Sequence, residues 1–438
     1  MTPFQRMRKD GVFPVTFWNY CNMDQPGGAA AAVKDWVDAG MTVAMTPRYD
    51  PAKRRQFLDL LDACGEAGLK AIVTDPRGQY WSGAWKKGGA RRFRSEFRQA
   101  VKDFGGHPAV FGFHGGDEPC VGLTDQAFKT SKIHREEAPH LSCFMNLGPA
   151  GGGSAEWVGY DTYDHYLDDY CTQGDPEFLC FDVYWQMLPE ESGTHDYFDC
   201  MRIFRDAGRR HNKPMWATLC SVGHYRYRCP TEDDLRWQAN TAVANGCTGL
   251  AWFFFYMRDL HDNYRVPPVD EHWQRTETFD WLARVNKTFG AWHGPAAAAL
   301  KLQETYHIGK VYRGAEPMGG SRLVKWADSP HVPLIVSELT GAKGADYVAI
   351  VNNARDDSTE AMMCFRGRPE IRRIAWGGGD TGVKIKGSAN PKDADYCKDA
   401  KVECWLAPGQ MELYRVTAAK RVAKKRAAKK KAKKTSKK

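Results

Sequence analysis

No uninterrupted apolar run in the sequence approaches the length needed to cross a bilayer, which excludes a spanning helix. None of its 13 cysteines stands in a C-x-x-C pair, and their spacing fits neither a zinc site nor a dense disulfide framework. Up to residue 293 no G-x-G-x-x-G or G-x-x-x-x-G-K-[ST] follows a strand, so the usual marks of a nucleotide-binding open sheet are missing. No internal repeat is visible. The opening M-T-P-F-Q-R-M-R-K-D lacks the apolar core of a signal peptide. From these absences we expect a soluble protein that needs no metal and no organic cofactor. The cysteines read as mostly reduced thiols in a cytoplasmic setting, with one or two bridges allowed and secretion as the alternative.

What is present is bulk and aromatic surface. At 438 residues the chain is too long for one small core. Its 15 Trp and 18 Tyr supply flat, partly polar faces of the kind that stack on sugar rings. The net charge of +9 is misleading: Lys420 to Lys438 holds ten Lys, two Arg and no acid, which leaves the body slightly acidic. This Lys/Ala run cannot bury a core, so a disordered basic tail is expected over 417–438. It could contact a polyanion through charge alone, but it carries no aromatic for base stacking. A solubilising extension is the plainer reading.

Eight short apolar runs alternate with helical spacing up to about residue 293: Val12–Tyr20, Met41–Tyr49, Leu69–Pro76, Val110–His114, Leu141–Leu147, Phe178–Trp185, Pro214–Ser221 and Gly249–Met257. Continuous rather than alternating apolar runs suit strands covered on both faces. Between them, Phe57, Leu58, Leu61 and Cys64 form one helical stripe, and Phe93, Phe97, Val101 and Phe104 another. Asp24, Thr124 and Thr231 stand where N-caps are useful, and Gly40 and Gly68 where helices should stop. The fold class predicted is α/β, a (β/α)8 TIM barrel over 10–295. From about residue 300 the pattern becomes short strands divided by Gly, Pro, Asn and Asp, beginning with Val311–Arg313. Trp405–Val416 reads as a closing hairpin, and 300–416 as an all-β sandwich.

A parallel barrel gathers the carboxyl ends of its strands around one pocket. There the sequence places Trp18, Asn19, Arg48, Asp75, Arg77, His114, Asn146, Tyr184, Trp185, His224, Trp252 and Tyr256 as candidate ligand-binding residues. Asp117, Glu118 and Asp182 are the candidate catalytic carboxyls, with Asp259 a weaker substitute. Acids, amides and aromatics at one mouth suit a polyhydroxylated ligand such as a glycan or oligosaccharide. Glycoside cleavage needs one acid to protonate the leaving oxygen and a second group to stabilise or attack the anomeric carbon. Glu118, with an ionised Asp117 beside it, is expected to hold its proton and serve as acid/base. A Cys220/His224 thiol pair is a remote alternative.

The stretch H-P-A-V-F-G-F-H-G-G-D-E-P (His107–Pro119) resembles the fourth-strand motif of clan A glycoside hydrolases and related barrel β-glycosidases, in which the Glu is the acid/base. The resemblance implies that Glu118 has that role and that Asp117 stands where the family has a sugar-binding Asn. The family's seventh-strand nucleophile is missing: the corresponding stretch reads M-W-A-T-L-C-S-V-G-H, with no acid from Met215 to Tyr227. Asp182, in F-D-V-Y-W, is the favoured substitute as nucleophile or base. H-G-G-D-E (His114–Glu118) also resembles, one residue short, the H-x-G-G-D-E motif of family 20 hexosaminidases. That likeness implies a substrate-assisted route in which Asp117 orients an acetamido group. A carbohydrate-binding barrel without turnover is the competing class.

Overall fold

The computed structural model describes residues 1–24, 26–258 and 263–417, so Asp259 and the basic tail from residue 418 lie outside the described residues, while Thr417, the first residue of the expected tail, ends a strand. Eight parallel strands form one sheet: β1 Val15–Phe17, β2 Val43–Met45, β3 Lys70–Val73, β4 Val110–Asp117, β5 Ser142–Leu147, β6 Leu179–Asp182, β7 Met215–Cys220 and β8 Cys247–Phe253. Each pairs with the next from β2 to β8, and β8 returns to β1 through Val15↔Leu250. The ring closes where the Thr42 amide donates to the Val15 carbonyl at 3.0 Å. Each strand lies within, or overlaps, its predicted run.

The main helices around the ring are α1 Gly28–Asp38, α2 Arg54–Glu66, α3 Gly83–Phe104, α4 Thr124–Glu137, α5 Tyr163–Asp169, α6 Ser192–His211, α7 Glu232–Ala244 and α8 Glu277–Trp292. Phe57, Leu61, Cys64, Phe93, Phe97 and Phe104 are buried against the sheet as their spacing requires. Gly40 and Gly68 adopt φ of +76° and +75° just past α1 and α2, the left-handed turn that a side chain resists. Thr231 forms a capping box with Asp234 at the start of α7. Asp24 and Thr124 do not cap. Asp24 pairs with Lys53, and the Thr124 hydroxyl donates to the carbonyls of Cys120 and Val158.

The barrel interior is filled by Val43, Ile72, Phe111, Phe144, Phe178, Trp216 and Ala251. The N-terminal helix Pro3–Lys9 closes its lower end, with Phe4 edge-on to Phe178 and Trp216 at 5.2 and 5.5 Å. The polar residues are thereby confined to the opposite, carboxyl-terminal mouth.

The remaining chain forms β9 Lys301–Ile308, β10 Val324–Asp328, β11 Leu334–Thr340, β12 Asp346–Asn352, β13 Thr359–Phe365, β14 Glu370–Ile374, β15 Ala400–Leu406 and β16 Met411–Thr417. One sheet contains β9, β11, β12, β16 and β14; β10, β13 and β15 form the other. Val311–Arg313 forms no strand, and the first strand is Lys301–Ile308 instead. Nor is Trp405–Val416 a hairpin. β15 pairs with β13 and β16 with β12, so Pro408–Gly409 carries the chain from one sheet to the other. The larger sheet packs on the barrel, where Ile335, Ala349, Val351 and Met411 share one apolar cluster with the barrel helices.

All thirteen cysteines are free thiols, so neither of the bridges allowed for is formed. No helix among the described residues is long and apolar enough to cross a membrane.

Candidate active site

β4 runs apolar from Val110 to Phe113 and then breaks step at Gly115–Gly116, where its register with β5 shifts. Gly116 has φ +153°, and a Cβ there would stand 2.2 Å from the Tyr80 ring, so only glycine fits. Beyond it Glu118 takes φ +41°, a conformation that costs a side chain about 1–3 kcal/mol and recurs at functional sites. Two bonds hold this turn: the Glu118 amide donates to the Asn146 carbonyl at 2.9 Å, and the Tyr80 hydroxyl to the Asp117 carbonyl at 2.6 Å.

Asn146, fully buried on β5, organises the acids. Its Nδ2 donates to Asp117 Oδ1 and to Asp182 Oδ1, each at 3.0 Å. Its Oδ1 accepts from the Thr218 hydroxyl at 2.9 Å and from the Cys180 thiol at 3.4 Å, which fixes the amide's orientation. Asp182 Oδ1 also accepts from the Tyr184 hydroxyl at 2.6 Å. The Glu118 carboxyl lies near enough to Asp182 for its charge to act on it.

Burial raises Asp182 well above the usual carboxylate range, and the charges of Glu118 and Asp117 add to it. Asp117 is lifted to about 7 by burial and by Glu118, opposed by the Asn146 hydrogen bond and by Arg258. The cluster therefore retains a proton near neutrality.

A cleft of about 360 Å³ reaches the cluster at Asp117 and is lined also by Trp18, Asn19, Tyr20, Arg48, Gln79, Trp81 and His114; Glu118 and Asp182 are not among its lining residues. Trp18 and Trp81 stand edge-on to the His114 ring at 5.3 and 5.8 Å. His114, held by Gln79 at 3.0 Å and pushed down to about 4 by burial, is neutral at physiological pH. Asn19 spends its amide on the Met45 carbonyl at 3.0 Å, and Arg48 is exposed at the rim. Half-buried His224, lowered to about 4 by burial and by Arg258 and Arg265, stacks on Tyr264 across the β7 side of the mouth.

Several expected residues are not in this group. Trp252 turns outward, because Ala251 and Phe253 on either side face the interior; its indole donates to Asn286 of α8 at 3.1 Å. Tyr256 is buried against Phe255 and Trp273. Trp185 packs on Gly151 instead of lining the cleft. Arg77 lies over Tyr49 and binds Asp75 and Asp103, each at 2.7 Å, so this pair braces the rim under α3. Cys220 is buried, pushed up to about 12, and gives its thiol hydrogen to the Val222 carbonyl, which leaves no thiol–imidazole pair with His224. Sequence reasoning missed Gln79, Trp81 and Thr218. The run Q-Y-W directly after P-R-G was the available signal for the first two. Among the described residues no cluster of His, Cys, Asp or Glu could hold a metal ion.

No family model and no curated protein matches the sequence. Solved structures do match. A family 5 glycoside hydrolase from Bacteroides vulgatus aligns with TM-score 0.54 and 11% identity over 93% of this chain and 89% of its own. A family 39 glycoside hydrolase from Bacteroides cellulosilyticus gives 0.51 and 11% over 93% and 82%. A β-galactosidase from Marinomonas ef1 gives 0.48 and 11%, with this chain spanning 59% of its length. Over nearly its whole length, the chain therefore has the fold of the first two: a (β/α)8 barrel carrying a β-sandwich.

Proposed function

We propose that the protein is a glycoside hydrolase in which Glu118 delivers the proton to the departing glycosidic oxygen. One observation carries this reading: burial and the Glu118 charge raise both Asp117 and Asp182, which stand with Glu118 at the carboxyl ends of β4 and β6, and Asp117 borders a cleft with aromatic walls. Asp182, held by Asn146 and Tyr184, is the candidate second carboxyl. Trp18 and Trp81 suit ring stacking, and His114 and Arg48 suit hydroxyl recognition. The two matched glycoside hydrolases of the same fold agree with this chemistry.

Hydrolysis of a chromogenic glycoside panel tests it. Glu118→Gln is expected to lower turnover by about 10²–10⁴-fold while sugar binding persists. A chain that binds sugar, turns over none, and ignores the substitution is a binding protein instead.

The lack of any acid from Met215 to Tyr227 favours a second reading, in which a 2-acetamido group of the substrate attacks the anomeric carbon and Asp117 orients it. Asp117→Asn should then impair 2-acetamido substrates at least tenfold more than their 2-hydroxy counterparts. Equal impairment removes this route.

A further inference from the structure

At the amino-terminal end of the barrel strands, opposite the acid cluster, a cleft of about 670 Å³ separates the barrel from the start of β9. Five cations line it: Arg8 of the N-terminal helix, Arg205 and Arg209 of α6, Lys213 just beyond α6, and Lys301 of β9. Glu304 is the sole acid among the lining residues. The carbonyl end of α6 offsets part of this charge, but Arg8 and Lys301 come from other elements.

The partners of these cations leave charge uncompensated. Arg8 has no carboxylate within 4 Å among the described residues, and its Nε donates only to the Ala298 carbonyl at 2.9 Å. Arg205 has a buried Nε with no hydrogen-bond partner, and its nearest carboxylate, Asp206, is 3.6 Å away. Its side chain is only 11% exposed. Lys301 donates to the neutral Asn212 amide at 3.0 Å. Lys213 is held by Asp175 at 2.9 Å, and Arg209 rests on the Gln303 carbonyl with Glu304 at 4.0 Å. Burial lowers the pKa of both Arg8 and Arg205, opposed only in part by Glu177 and Asp206 respectively. Buried charges in folded proteins are normally paired, and planar guanidinium forks match tetrahedral oxyanions.

We propose that this cleft is a binding site for a doubly charged oxyanion, a phosphate or sulfate group, held by Arg8 and Arg205 with Lys301 at its edge. The site is separate from the acid cluster and does not depend on the function assigned to that cluster. The volume accommodates the group either as a free ion or as an ester on a sugar.

Calorimetric titration of the full chain with inorganic phosphate and with sulfate, in a chloride buffer of matched ionic strength, tests the site. Saturable binding is expected, weakened at least about tenfold in Arg205→Gln and in Arg8→Gln. Lys301→Ala, at an exposed position, supplies a second readout should a buried variant misfold. Glu118→Gln should bind unchanged. A sugar 6-phosphate or 6-sulfate that binds at least tenfold tighter than the free ion identifies an ester ligand, and equal affinity identifies the ion itself. No saturable binding of either oxyanion, or binding that survives all three cleft substitutions, overturns the proposal.

Discussion

Asp117 is the residue whose titration the fold shapes most legibly. Burial and the Glu118 charge raise it to about 7, against about 3.9 in an unfolded chain. The folded state therefore holds this proton more tightly than the unfolded chain does. The resulting stabilisation is complete below about pH 4 and is lost as pH rises through about 7. Asp117 keeps partial contact with the cleft, so its ionisation should cost about 1–2 kcal/mol at pH 8 rather than the full shift. Asn in its place keeps an acceptor for Asn146 and cannot ionise. Denaturation of Asp117→Asn from pH 4 to 8 should show a gain at pH 8 and little change at pH 4. A variant no more stable at pH 8 would contradict the raised carboxyl.

Among the elements, β4 decides the site. Its register shifts against both β3 and β5, so Phe111 faces the interior while Phe113 faces the helices although both positions are odd. Gly116→Ala should destabilise the protein by about 2–4 kcal/mol and abolish turnover, because its Cβ meets the Tyr80 ring. A variant of unchanged melting temperature and activity would show that the bulge does not set the site. The same irregularity marks how far the sequence could be read. That acids follow β4 and β6 was visible in D-E-P and F-D-V-Y-W, since strand ends in a barrel share one mouth. That Asn146 ties Asp182 to Asp117 was not, because the bulge resets which face each residue takes. Trp252 was misplaced for a related reason: one step along β8 exchanges mouth for helix layer.

At the scale of the whole molecule, barrel and sandwich are one structure. The Trp237 indole donates to Asn353 at 3.0 Å, Asn240 to the Gly409 carbonyl at 2.8 Å, and Ser337 to the Ala244 carbonyl at 2.7 Å. Gly409, at φ +64°, lets the sheet-switching turn lie on the Trp237 backbone, where a Cβ would come within 2.4 Å. Calorimetry should show one unfolding transition, displaced as a unit by Gly409→Ala at a cost of about 2–4 kcal/mol. Two transitions of which only one moves would mean independent domains. Eight covered strands were legible as eight apolar runs. The crossing at Pro408–Gly409 was not, because L-A-P-G-Q suits a hairpin equally well and only distant pairing decides which sheet each arm joins.

A proton donor is needed in proportion to how poor the leaving group is. The most direct measurement is therefore the turnover of Glu118→Gln on two glycosides of one sugar, an alkyl and a 2,4-dinitrophenyl. Loss of about 10²-fold or more on the alkyl glycoside, with the dinitrophenyl glycoside nearly spared, is the predicted result. Equal loss on both, or loss on neither, would contradict proton delivery by Glu118.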